Sequence, residues 1–102
     1  MALTIRLEDK RGTQIEEVFD TGDVLLRAVH RQPVNTETNL LKYIDPYGDT
    51  IFNGLQAKDA VTEIERLRNN VSGAEVQTLD EIRDLAMKCA FGIHLFLKFY
   101  GD

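Results

Sequence analysis

Hydrophobic and polar positions alternate near both ends of the chain and recur at helical spacing between them. Leu3, Ile5 and Leu7 alternate with Thr4, Arg6 and Glu8, the period-two pattern of a strand with one buried face. Asp9-Lys10-Arg11-Gly12 follows as a turn, with glycine available for a positive φ. Residues 14–19 read as the returning strand. Strict alternation fails at Glu16-Glu17 and Val18-Phe19, a slip that a bulge or a twisted edge accounts for. Asp20-Thr21-Gly22-Asp23 has the residues that open a helix, and Val24, Leu25, Ala28 and Val29 then share one helical face. This short helix is expected to stop before Pro33. Residues 32–39 are polar and read as a loop. Residues 40–44 and 50–52 read as two short strands, with the corner Asp45-Pro46-Tyr47-Gly48-Asp49 between them.

Asn53 suits a helix N-cap, and Gln56 stands three residues on to complete a capping box. Ala57, Ala60, Val61, Ile64, Leu67 and Val71 follow at helical spacing, while Lys58, Asp59, Thr62, Glu63, Glu65, Arg66 and Arg68 fill the opposite face. Glu63 with Arg66 and Glu65 with Arg68 are spaced as intrahelical pairs. Asn70 and Ser72-Gly73 end the helix, glycine being suited to a left-handed exit. Thr78-Leu79-Asp80-Glu81 reads as a second capping box. It introduces a buried stripe of Leu79, Ile82, Leu85, Ala86, Cys89 and Ala90, with Asp84 spaced to pair with Lys88. The period then changes to two. Ile93, Leu95, Leu97 and Phe99 make one face of a last strand, and His94, Phe96, Lys98 and Tyr100 the other. A strand apolar on one side and aromatic on the other belongs inside a sheet rather than at its edge. The pattern as a whole predicts an α+β fold: a mostly antiparallel sheet of about five strands, with two longer helices and one short helix packed on one face.

Composition narrows the function. A chain of 102 residues has the size of one domain, 1–102. No apolar run approaches the roughly 18 residues of a membrane span, no secretory pattern opens the chain, and Cys89 stands alone. The cytoplasm is the expected location. Seventeen acids against twelve Lys and Arg give a formal charge of -5, which disfavours phosphate-backbone binding and so nucleic acid as a partner. The same acidity suits docking onto a basic partner.

Candidate chemistry is sparse. Asp45 and Asp49 lack the alternating oxygen ligands and closing glutamate of a calcium loop. Asp, Pro and Gly at these spacings are what a tight reversal asks for, and Tyr47 would project from such a corner. His30 and His94 have no Cys or Glu near them at zinc-ligand spacing. Cys89, on an apolar stripe, is expected to be buried and inert. Ser72, the one serine, sits in a polar linker rather than a nucleophile elbow. No glycine spacing matches a phosphate loop. No catalytic residue, metal ligand or cofactor is therefore assigned.

The segment "DPYGDTIFNGLQ", with the amphipathic helix after it, and the C-terminal "HLFLKFYGD" resemble a group of small, uncharacterised bacterial proteins of about this length. The resemblance covers about a third of the chain; it implies a shared fold and carries no activity with it. In size and acidity the chain also resembles the immunity proteins of bacterial toxin systems, which act by binding. The expected function is thus a non-enzymatic protein-binding domain, an immunity-type inhibitor of a basic toxin being one form of it. The expected contacts are Asp45, Tyr47, Asp49, Glu63 and Glu65. The alternative is a small-molecule binder or enzyme with a pocket at the sheet around Tyr43, His94 and Tyr100. A homodimer stays open under both, because a second copy could cover the aromatic outer face of the last strand.

Overall fold

A computed structural model describes residues 3–31 and 39–101. The loop expected over 32–39 therefore lies outside the described residues except for Asn39. Strands β1 (Leu3–Asp9) and β2 (Gln14–Asp20) form a hairpin, followed by helix α1 (Val24–His30). A single turn of 3-10 helix (Leu41–Tyr43) leads to β3 (Asp49–Phe52), helices α2 (Gly54–Arg68) and α3 (Ala74–Phe91), and β4 (Leu95–Tyr100). Among the described residues the sheet has four strands in the order β2-β1-β4-β3, and every neighbouring pair is antiparallel.

The alternation in the sequence sets the faces. Leu3, Ile5 and Leu7 of β1, Leu97 and Phe99 of β4 and Phe52 of β3 are buried, and α1, α2 and α3 contribute Leu25, Ile64, Leu67, Leu79 and Ile82 to the same cluster. Phe52 and Phe99 meet edge to face at 5.5 Å between ring centres, the geometry that ring quadrupoles favour. β4 lies inside the sheet, between β1 and β3, as its two apolar faces require. β2 carries a bulge, but upstream of the slip at 16–19, where the pairing with β1 is regular. Leu7 faces Glu16 and Glu8 faces Gln14, so Ile15 is the extra residue of β2, and it is half exposed. Gly12 turns the hairpin at φ 83°.

Three expectations are corrected. Residues 40–44 are not a strand: Leu41–Tyr43 coil into 3-10 helix because the buried carboxylate of Glu63 holds the amides of Leu40 (3.0 Å) and Leu41 (3.1 Å) at its entrance. Among the described residues the sheet accordingly has four strands, not the expected five or so. The second capping box does not open α3, which starts four residues earlier behind Gly73 at φ 62°. Thr78 lies inside the helix, its hydroxyl bonded back to the carbonyl of Ala74 at 3.4 Å, a common mid-helix habit of threonine. Residues 93 and 94 do not belong to β4. His94 sits at φ 56° in the bend after α3, where a left-handed residue lets the chain reverse.

Between the strands, on the face away from the buried side chains, lies a charged cluster. Arg6 pairs with Glu17, and Glu8 accepts from Lys98 Nζ at 3.0 Å and from the Tyr100 hydroxyl. The Arg6 guanidinium stands 5.0 Å from the centre of the Tyr100 ring. Burial alone would push the Glu8 carboxyl up, but the bonds from Tyr100 and Lys98 outweigh it and hold the carboxyl below its usual value of 4.5. A carboxylate depressed in the folded state contributes stability above its unfolded pKa, and that stability is lost as pH falls through the lower folded value. The urea midpoint is therefore expected to be flat above about pH 5 and to decline in acid. Glu8→Gln should show a visibly shallower acid decline. An unchanged slope in that variant would remove Glu8 from the account.

Candidate functional site

The corner quoted from the sequence becomes a projecting strip. Ile44 is buried and anchors it from below. The Asp45 carboxylate accepts from the Tyr47 amide at 2.8 Å, and the Asp45 carbonyl from the Gly48 amide at 3.4 Å. This is a side-chain mimic of a turn stacked on a backbone turn. The Asp45 amide donates to Thr50 Oγ1 at 3.0 Å, tying the start of the corner to β3. On its other side the chain end closes it, the Gly101 amide donating to the Gly48 carbonyl at 2.8 Å. A Cβ on Gly101 would lie 2.4 Å from the Pro46 carbonyl oxygen, so the close approach depends on glycine.

With the even positions Ile44, Pro46, Gly48 and Thr50 turned inward or half covered, the odd ones face out. Tyr43 is 69% and Tyr47 71% exposed, with Asp45 and Asp49 beside them and Ile51, 53% exposed, at the end of the row. Lys42 covers the Tyr43 ring at 5.2 Å. Neither Asp45 nor Asp49 has a cationic partner among the described residues. Two exposed aromatic side chains and two carboxylates without a cation among the described residues thus share a strip held by six backbone and side-chain bonds. That arrangement can offer cation–π faces and charge-assisted acceptors to Lys and Arg.

Of the expected contacts, Asp45, Tyr47 and Asp49 come together in this strip. Glu65 is exposed on α2, where it lines a groove with Arg66, Arg68 and Arg83. Glu63 was expected on the solvated face of α2 and is instead only 5% exposed, with both carboxylate oxygens bonded to the Leu40 and Leu41 amides. Neither intrahelical pair forms as spaced: Arg68 reaches across to Asp80 on α3 at 2.7 Å, and the Asp80 carboxyl is held below its usual range by that bond. Lys88 likewise reaches Glu16 on β2 rather than Asp84.

Tyr43, His94 and Tyr100 do not meet. His94 precedes β4 and Tyr100 ends it, six residues on, about 20 Å apart along an extended chain. His94 is exposed, and Tyr43 belongs to the projecting strip. What the reading of the corner missed is Tyr43, which the 3-10 turn delivers to the strip. Tyr43, Asp45, Tyr47 and Asp49 stand at every second position, but a 3-10 turn and a tight reversal, not an extended chain, expose them. Cys89 is buried beside the Leu95 carbonyl, and burial pushes its thiol up to about 11, so it carries no thiolate at neutral pH. Among the described residues no three of His, Cys, Asp and Glu gather as a metal-binding group, and no helix is long and apolar enough to cross a membrane. Comparison with protein-family models, with curated proteins and with solved structures finds no match for the chain.

Proposed function

We propose that the chain is a non-enzymatic protein-binding domain of the bacterial cytoplasm that docks a basic surface of another protein through the strip Tyr43, Asp45, Tyr47 and Asp49. The observation that carries this is the pairing of two tyrosines about 70% exposed with two aspartates that have no cationic partner among the described residues. Solvent-exposed aromatic side chains on a rigid corner gain little by packing within the fold, whereas tyrosine is enriched among the residues that anchor interfaces. The formal charge of -5 adds long-range attraction to a cationic partner and raises the rate of encounter. An immunity-type role, in which the strip covers functional basic residues of a toxin, is the biological form that best suits a small acidic binder.

The test uses the intact chain as bait in an extract of its own host, beside a variant with Asp45→Lys, Tyr47→Ala and Asp49→Lys. A basic protein is expected on the native bait and absent from the variant. With that protein purified, Tyr47→Ala alone should weaken binding about tenfold or more, and added salt should slow association. Recovery of the same proteins on both baits would dismiss the strip as the docking surface.

A further inference from the structure

On the helical side of the molecule, α2 and α3 bound a groove of about 410 Å³ lined by Thr62, Glu65, Arg66, Arg68, Asn69 and Arg83. Three guanidinium groups meet there in a protein that is acidic overall, and they are not equally satisfied. Arg68 is paired in fork geometry, Nε and Nη2 donating to the two Asp80 oxygens at 2.7 and 3.3 Å. Arg83 lies 3.5 Å from the same Asp80 and 3.7 Å from Asp84, distances of attraction without a hydrogen bond. Its Nε is buried and has no hydrogen-bond partner among the described residues. Arg66 has no acceptor among the described residues.

A solvated face does not explain Arg83. Its side chain is 27% exposed, and a buried donor without a protein acceptor is a cost that folded proteins rarely leave standing. Arginine keeps its charge at any physiological pH and presents several donors in a plane matched to oxyanions. Thr62 and Asn69 add a hydroxyl and an amide to the same lining. Glu65 is the carboxylate on the lining, and it acts on Arg68, leaving Arg66 without an acceptor among the described residues and Arg83 with only its long contacts to Asp80 and Asp84. We infer that this groove is a binding site for the oxyanion of a small molecule, a phosphate monoester or a carboxylate, held between Arg66 on α2 and Arg83 on α3. The anion would accept from the Arg66 guanidinium and from the exposed edge of Arg83, drawing Arg83 away from its long contacts with Asp80 and Asp84. The site lies outside the Tyr43–Asp49 strip and does not rest on the docking function.

The experiment titrates the intact protein with inorganic phosphate, with acetate and with chloride at matched ionic strength, following backbone amides and arginine Nε–H groups by NMR. Saturable shifts at Thr62, Arg66, Asn69 and the Arg83 Nε–H are expected with phosphate or with acetate, and whichever saturates names the oxyanion class. Arg66→Ala, an exposed change whose fold is checked by its spectrum, should weaken that binding about tenfold, and Arg83→Lys should weaken it while keeping the charge. The variant with Asp45→Lys, Tyr47→Ala and Asp49→Lys should bind the anion as the native chain does. Shifts that rise linearly for all three salts, or an Arg66→Ala protein that binds as well as the native one, would overturn the site.

Discussion

Replacing Asp20 with alanine is expected to lower the stability of the fold by about 2–4 kcal/mol, from two orphaned amides and a lost cap. Asp20 is fully buried, and its two carboxylate oxygens accept from the amides of Val24 at 2.8 Å and Leu25 at 2.9 Å. Those amides open α1, whose formal N-cap, Asp23, sits in the left-handed region at φ 55° and makes no side-chain cap. Three residues upstream, Asp20 does the capping instead, and its charge faces the positive end of the helix. Alanine would leave two amides without partners beside Leu25, a residue of the core. Against a total stability of about 5–15 kcal/mol such a loss is large, and it should lower the melting temperature by roughly 10–25 °C. Asp20→Asn keeps one acceptor and should cost about half as much. Urea titration of the three proteins, with amide exchange at Val24 and Leu25, gives the comparison. An alanine variant within about 0.5 kcal/mol of the native chain, the usual scatter of surface changes, would show that the cap is not worth what its geometry says.

Asp20 also shows where reading a sequence stops. Its position before Val24 marked the right boundary, but nothing in the spacing said that the carboxylate would turn inward and serve α1 from the end of β2. Local signals survived where one physical rule dominated. Alternation placed β1 and put β4 inside the sheet, and the Asn53–Gln56 capping box is present with both of its bonds, at 2.9 Å each. Signals failed where a residue outside the local pattern decided the outcome. Thr78 to Glu81 has the residues of a helix start, yet Gly73 lets the turn begin earlier and α3 simply runs through them. The apolar run at 40–44 is too short for its period to separate strand from helix. The decision falls to Glu63, more than twenty residues away, which no local pattern connects to it. The candidate site was half legible for the same reason. Asp45, Tyr47 and Asp49 could be read from turn chemistry, whereas Tyr43 joined them only once the preceding segment proved not to be a strand.

Glu63→Ala is expected to cost about 2–3 kcal/mol, since the amides of Leu40 and Leu41 would lose their acceptor beside the fully buried Leu41. Its consequence should spread further than that of Asp20→Ala. The 3-10 turn that Glu63 caps has no side-chain cap of its own at Leu40, and it delivers Tyr43 and Ile44 directly into the projecting strip. Once the turn frays, the strip keeps its tether to Thr50 and Gly101 but loses the anchored entrance on the Tyr43 side. Amide exchange at 41–47 should therefore accelerate more than exchange in β1 or α3, and binding to a basic partner should weaken although Glu63 touches no partner. Glu63→Gln retains one acceptor oxygen and should fall between the two, at about 1 kcal/mol. If the alanine variant instead loses protection evenly across the core, the carboxylate is a general stabiliser and the strip owes its shape to the corner alone.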